Sequence, residues 1–282
     1  MPNPKHLPHL IKLLEDESDI VQQSVLDELS SFGPSLEKEL RRLNIAPDAD
    51  QFRTIRQRLE EHNRKWLRNE WPRWFDIEHD KLRLEAALTL LADFQNGRNY
   101  PVKLPALLNQ VADEFLSTHK PAGARELSSF LFRIKGLGGA QTDYYNPLNS
   151  NLVYVLEHMK GIPISLACIY MLVGHRLGIP IEGINTPGHF LAKATIENKP
   201  YLVDCFNGGR FLDKLDLVSL NSKEPIRLEN ILKLECDANT IVARFLRNLV
   251  NAYQESDNSP NVAFMAELLE LMTAEDGEEA EE

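Results

Sequence analysis

The residues able to do chemistry gather around one stretch, "HMKGIPISLACIYMLVGHRLGIPIEGINTPGHF", His158 to Phe190. It reads as a turn, a buried helix, a second turn and a strand led in by His189. A nucleophile at a helix start facing an imidazole on a neighbouring strand suits thiol catalysis. The helix N-terminus stabilises a thiolate and the imidazole holds the proton. The helix nevertheless opens with Gly161-Ile162-Pro163, none of which can attack a carbonyl. The three cysteines, Cys168, Cys205 and Cys236, are spaced irregularly. They form neither a disulfide framework nor a zinc pattern. His6 and His9 have a spacing open to metal ligation, but no further ligand is near and surface positions are expected. No cofactor and no metal site follow from these residues.

A chain of 282 residues suffices for one large domain or two ordinary ones. Its apolar fraction of 43% and charged fraction of 26% are those of a soluble globular protein. The longest apolar run, Ile164 to Val173, is half of what a membrane span needs. The start, "MPNPKHLPHL", lacks the apolar centre and cleavage site of a signal peptide. A cytoplasmic protein that avoids membranes is the expectation.

The net charge of −11 is concentrated in the final "AEDGEEAEE", whose six carboxylates predict a disordered tail. Against that acidity, Phe52 to Phe75 carries seven Arg or Lys and three Glu, interleaved with Trp66, Trp71 and Trp74. Such a stretch could bind single-stranded nucleic acid through residues such as Arg56, Arg64 and Arg68. An amphipathic helix with core tryptophans and a solvated basic face is the simpler account. An acidic protein is a poor general binder of polyanions.

The central stretch needs flanking elements to hold it. Leu7, Leu10, Ile11 and Leu14 form one helical stripe, and Val21, Val25, Leu26 and Leu29 a second. Asp16 to Asp19 make the turn between them and Gly33-Pro34 the stop. Two helices cannot bury both their own stripes, so the hairpin must pack on the next part of the chain. Further helices are expected at about 51–70, 78–95, 102–117 and 127–135. A turn-rich loop, "GLGGAQTDYYNPLNS", comes next, with Asn149 or Ser150 capping a short helix through Lys160. The helix 163–177 ends at Gly178. "IPIEGI", "HFLAKATI" and "PYLVDCF" are strands, with "ENKP" as a hairpin turn. "TIVARFLRNLVNAYQES" and "VAFMAELLELM" close the chain as a helical pair. The class is α+β, mostly α, with a helix leading into a small antiparallel sheet between helical flanks.

The pieces "DYYNPLNSNL", "GIPISL", "LGIPIEGIN", "PGHF" and "VDCFNGGR" occur in the order found in the SirB-type branch of the transglutaminase-like core superfamily. Residues about 128–215 resemble that branch, and the resemblance implies a papain-like helix-on-sheet core. The first helical hairpin is similar to a HEAT unit and the last pair to a tetratricopeptide unit. The segments expected are therefore a HEAT-like hairpin over 1–45, a helical region over 46–125 and the core over 126–220. A tetratricopeptide-like pair over 221–273 and the acidic tail over 274–282 complete the chain.

In catalytic members the helix begins Gly-x-Cys, a histidine opens the next strand and an aspartate lies on the strand after. The resemblance puts His189 and Asp204 at the last two positions and Pro163 where the cysteine belongs. Ser165 is a weak substitute nucleophile, since two residues on is about 200° around the helix. Cys168 falls near the apolar stripe and Cys205 on the strand face opposite Asp204. His189 and Asp204 fit either a hydrogen-bonded pair tying two strands together or a retained pocket. Gly188, Asn185, Asn207 and Arg210 could border such a pocket. The resemblance adds Tyr144, Tyr145, Asn146 and Asn149 to its edge, although Asn and Gly also serve ordinary turns.

Two functions are consistent with this pattern. One is a non-catalytic module of the cytoplasm that binds a protein or peptide, with helical flanks as contact faces. The other is an amide-bond hydrolase or acyl transferase, with His189 as base, Asp204 as its orienter and Ser165 or water as nucleophile.

Overall fold

The computed structural model of the protein describes residues 2–43, 49–119, 123–212, 228–232 and 234–278. They form two compact units, Met1–Asp76 with Thr89–Lys103, and Ile77–Leu88 with Leu104–Glu282. One helix, α5 (Asp80–Asn96), supplies both units.

The first unit is helical. Helices α1 (Leu7–Leu13) and α2 (Asp19–Ser30) form the expected hairpin. Gly33 has the positive φ of +52° anticipated for a stop. The chain then re-enters helix as α3 (Leu36–Arg42), which the pattern did not predict. The hairpin packs on α4 (Ala49–Glu70) around Leu7, Val25, Leu29, Leu40 and Ile55. Its polar fastening is Asp27, which accepts from His62 Nε2 at 2.6 Å and pairs with Arg98. Trp71 and Trp74 are fully buried, edge to face at 5.6 Å, so neither offers a face for base stacking. Arg56 pairs with Glu37, Arg64 with Glu60 and Arg73 with Glu70. His9 is exposed and His6 bonds to Asn3.

The second unit is built on α9 (Pro163–Arg176), preceded by α6 (Leu104–Thr118), α7 (Ala124–Ser128) and α8 (Leu152–His158). Every residue of α9 from Pro163 to Gly174 is buried. Such a helix, apolar on all sides, can exist only inside a core. Gly174 permits the closeness to the sheet, because a Cβ there would lie 2.6 Å from Ile181 Cδ1. The helix expected at 127–135 is α7 continued as a π-turn over Ser129–Ile134, with Lys135 N reaching back to Phe130 O at 2.8 Å.

The sheet is antiparallel in the order β6-β5-β4-β3-β7. Its strands are β3 (Ile181–Ile184), β4 (Leu191–Ile196), β5 (Lys199–Asp204), β6 (Arg210–Phe211) and β7 (Glu235–Cys236). The expected hairpin turn is present, with left-handed φ of 49° at Glu197 and 60° at Asn198. Two such residues in a two-residue loop match the twist of the flanking strands. A further pair, β1 (Gly138–Gly139) and β2 (Lys160–Gly161), runs parallel within stretches read as loop and helix. The short helix α10 (Leu228–Leu232) packs Ile231 on Ile184, Leu191 and Leu202.

Helices α11 (Ala238–Glu255) and α12 (Ser259–Glu278) form the closing pair. Helix α11 buries Ile241, Val242, Phe245, Leu246 and Leu249, and Asp80 caps its first N–H at 2.7 Å. Helix α12 runs to Glu278, into the acidic stretch expected to be disordered. Alanine and glutamate have high helix propensity. Residues 279–282 lie outside the described residues.

Candidate functional site

Two turns carry the site. The chain between β3 and β4 does not form a tight hairpin. His189 N bonds to Thr186 O at 3.3 Å, and Thr186 Oγ1 donates to His189 O at 2.6 Å. These bonds take the His189 backbone out of the sheet ladder, so β4 begins at Leu191 rather than at His189. Gly188, exposed and at φ +73°, makes the reversal possible. The second turn comes after β5. Asp204 Oδ1 accepts Asn207 N at 3.1 Å, and Asp204 Oδ2 accepts Asn207 Nδ2 at 2.8 Å. Gly208 and Gly209 then take φ of +79° and +66°. At Gly209 a Cβ would lie 2.2 Å from the Phe132 ring, so this glycine answers a close approach as well as a turn.

The two turns bring His189 Nε2 within 3.0 Å of Asp204 Oδ1. The carboxylate can only accept, so in the neutral ring Nε2 carries the proton and the lone pair falls on Nδ1. No described residue hydrogen-bonds to Nδ1, and the side chain is 20% exposed against 6% for Asp204. Burial pushes the Asp204 carboxyl up, but hydrogen bonds from His189 and Asn207 outweigh it and hold the group below its usual range. The result is an oriented imidazole with its basic nitrogen available.

Around it stand aromatic rings. Phe206 lies edge-on to His189 at 6.4 Å and Tyr144 edge-on to Phe206 at 6.2 Å. Tyr145 continues the row at 5.3 Å from Tyr144, and these two tyrosines are 40% (Tyr144) and 55% (Tyr145) exposed. Phe206 is held against the β1 backbone, where a Cβ on Gly139 would lie 2.5 Å from its ring. Burial and the neighbouring Tyr145 raise the Tyr144 phenol, while the Arg244 charge opposes them.

Pro163, Ser165, Cys168 and Cys205 all lie in the interior. Pro163 is the first residue of α9 and buried. At that position a helix needs no N–H. Ser165 is fully buried and donates Oγ to Asn149 O at 2.7 Å. Burial raises the Cys168 and Cys205 thiols well above their usual range, and both are fully buried. Cys205 lies just beyond β5 rather than on it.

The asparagines expected at the pocket edge serve turns. Asn149 donates to Tyr144 O at 3.2 Å, and Asn146 accepts Leu148 N at 3.0 Å. The helix cap expected from Asn149 or Ser150 is Asn151, which accepts from Val153 N at 3.0 Å and Tyr154 N at 3.2 Å. Asn149 is not available for it because its amide is turned back into its own loop. Arg210 is exposed, with its Cα opposite Asp204 in the β5–β6 register. Asn185 is half-buried and bonded to Arg244.

Arg244 and Phe206 were missed in the sequence. Arg244 sits about 60° from Ile241 on the helical wheel, at the edge of a buried stripe. That placement was the one available signal. Phe206 could have been sought from Gly139, since a glycine outside a tight turn often marks a close neighbour.

A buried helix laid on an antiparallel sheet, with a histidine and an aspartate paired across adjacent strands, is the arrangement of a papain-like core. The transglutaminase-like superfamily matches residues 98–247, and the chain belongs to that superfamily. It is 36% identical over 154 residues to a UPF0162 protein of Xylella fastidiosa, covering 52% of this chain and 54% of the relative. Identity to a UPF0162 protein of Vibrio cholerae is 30% over 111 residues, 38% of this chain and 40% of that protein. F-box only protein 21 of Mus musculus is 39% identical over 82 residues, 26% of this chain and 13% of that protein. The chain spans about half the length of the first of these relatives. No solved structure matches it. Among the described residues no helix is long and apolar enough to cross a membrane.

Proposed function

We propose that the protein is a non-catalytic transglutaminase-like module of the cytoplasm, in which the former reaction centre recognises a protein or peptide. One observation carries this reading. The oriented His189 has no hydrogen bond to Nδ1 from a described residue and stands at the end of a row of rings that runs through Phe206 to the exposed Tyr144 and Tyr145, while every described candidate nucleophile is buried or hydrogen-bonded away. A hydrogen-bond acceptor at one end of a row of aromatic rings suits an extended chain that offers an amide N–H and an apolar side chain. The recurrence of a related stretch as 13% of a longer F-box protein supports a module that works within larger assemblies. The SirB-type branch, and helical pairs of the HEAT and tetratricopeptide kinds as contact faces, belong to the same proposal.

Selection of a random peptide library on the purified protein tests it. Enriched peptides are expected to lose at least about tenfold in affinity to His189→Ala and to Tyr144→Ala, about 1.4 kcal/mol each. Binding that ignores both substitutions places recognition elsewhere and ends the proposal.

The lone pair on Nδ1 of the neutral ring also favours a second reading, an amide-bond hydrolase that uses water as nucleophile, or an acyl transferase in which an acceptor amine or hydroxyl takes the place of water, with His189 as general base and Asp204 as orienter. Turnover of an acyl or amide substrate that disappears in a folded His189→Ala protein would establish it.

A further inference from the structure

Between β3 and β4 the chain leaves the sheet for residues 185–190 and surrenders its ladder hydrogen bonds. Buried or half-buried carbonyls there need other donors. Besides the loop's own Thr186 Oγ1, which donates to His189 O at 2.6 Å, one side chain from outside the loop supplies them. Arg244, from the middle of α11, donates Nη1 to the Asn185 side-chain oxygen and to Thr186 O at 2.9 Å, and Nη2 to His189 O at 3.1 Å. Its guanidinium also lies over the Phe190 ring at 5.4 Å. The two ends of the excursion are thus gripped by one planar fork, which a point-charge lysine cannot reproduce. A further tie is Asn185 N to Leu234 O at 2.9 Å, ahead of β7.

The consequence concerns the imidazole. Asp204 fixes the ring at its far end, but the ring's origin is the His189 Cα, one bond from the carbonyl that Arg244 holds. We infer that Arg244 is a positioning residue for His189, and that helix α11 is a working part of the site rather than a flank appended to it. This rests on taking the His189–Asp204 centre as the functional site. Helix α11 is fitted for the task, since its neighbours Ile241, Val242 and Phe245 are fully buried and Asp80 and Asp237 cap its first turn. An arginine on a rigid, capped helix is a fixed reference for a loop that has no ladder of its own.

The test reads the ring directly and needs no ligand. Imidazole nitrogen resonances, with His189 assigned from the signal missing in His189→Gln, report which nitrogen is protonated. The intact protein is expected to show the single Nε2–H form. Arg244→Ala is expected to show both tautomers or exchange broadening at His189, with the remaining histidines unchanged and the fold retained by circular dichroism. Arg244→Lys restores the charge but not the fork, and is expected to remain mixed. The exposed Arg247→Ala on the same helix is the control and should match the intact protein. If Arg244→Ala does not fold, Arg244→Lys decides alone. A folded Arg244 variant with an unchanged His189 signature overturns the inference, whatever peptide assays give. A lost signature in a protein that binds no peptide upholds the inference and removes the binding proposal instead.

Discussion

His189 Nε2 meets Asp204 Oδ1 at 3.0 Å across two adjacent strand ends, and this bond decides which ring nitrogen faces outward. It also makes the pair sensitive to acid. Asp204 is pulled in opposite directions, up by burial and down by the bonds from His189 and Asn207, with the second prevailing. A carboxyl depressed in the folded state binds fewer protons than in the unfolded chain. Its stabilisation is complete above the unfolded pKa of about 3.9 and is lost as pH falls through the lower folded value. Asp204→Asn should therefore cost about 1–3 kcal/mol at neutral pH and lessen the acid sensitivity below about pH 4. Urea melts of both proteins across the acid range measure this, and parallel curves would contradict it.

The thiols give a second check. Burial raises Cys168 and Cys205 well above the usual range, and burial with the nearby Asp237 raises Cys236 to about 12. Thiolate is the reactive form. Ellman's reagent at mildly alkaline pH should find no fast thiol in the folded protein and all three after unfolding. A rapid reaction of any one would mean that the closed interior opens easily.

Restoring the missing residue type probes the register of the helix start. Pro163→Cys sets a thiol on the first turn of α9, where the helix dipole favours its anion. Alkylation by iodoacetamide is expected to be faster than at any native thiol. The gain should vanish in Pro163→Cys/His189→Ala. A new thiol as slow as Cys168 would show that this helix start is shut off from the imidazole.

The adjacent glycines after Asn207 separate strain from crowding. Both hold positive φ, but a Cβ on Gly208 meets nothing within 4 Å while one on Gly209 meets Phe132 and Ser128. Gly208→Ala should cost about 1–2 kcal/mol from the left-handed backbone alone. Gly209→Ala should lose that much and about 1–3 kcal/mol more by overpacking. Equal losses in thermal melts would assign the whole effect to backbone.

What the sequence by itself determined is local. The apolar run of α9, its stop at Gly178 and the Glu197-Asn198 hairpin were legible because each is written within a few residues, as periodicity or turn chemistry. His189 and Asp204 were legible from motif order, although that order could not say which nitrogen met the carboxylate. Tertiary structure alone decided the rest. The pairing of Gly139 with Gly161, the Phe206 ring against Gly139 and the grip of Arg244 on the His189 loop join residues 22, 67 and 55 positions apart. Contacts at such separations leave no periodic trace in the chain, since their energy comes from surfaces that meet only after folding. The same reason hid the setting of Ser165. Its hydroxyl is ordinary in the sequence, and only the folded chain brings Asn149 O within 2.7 Å of it and closes both inside the core.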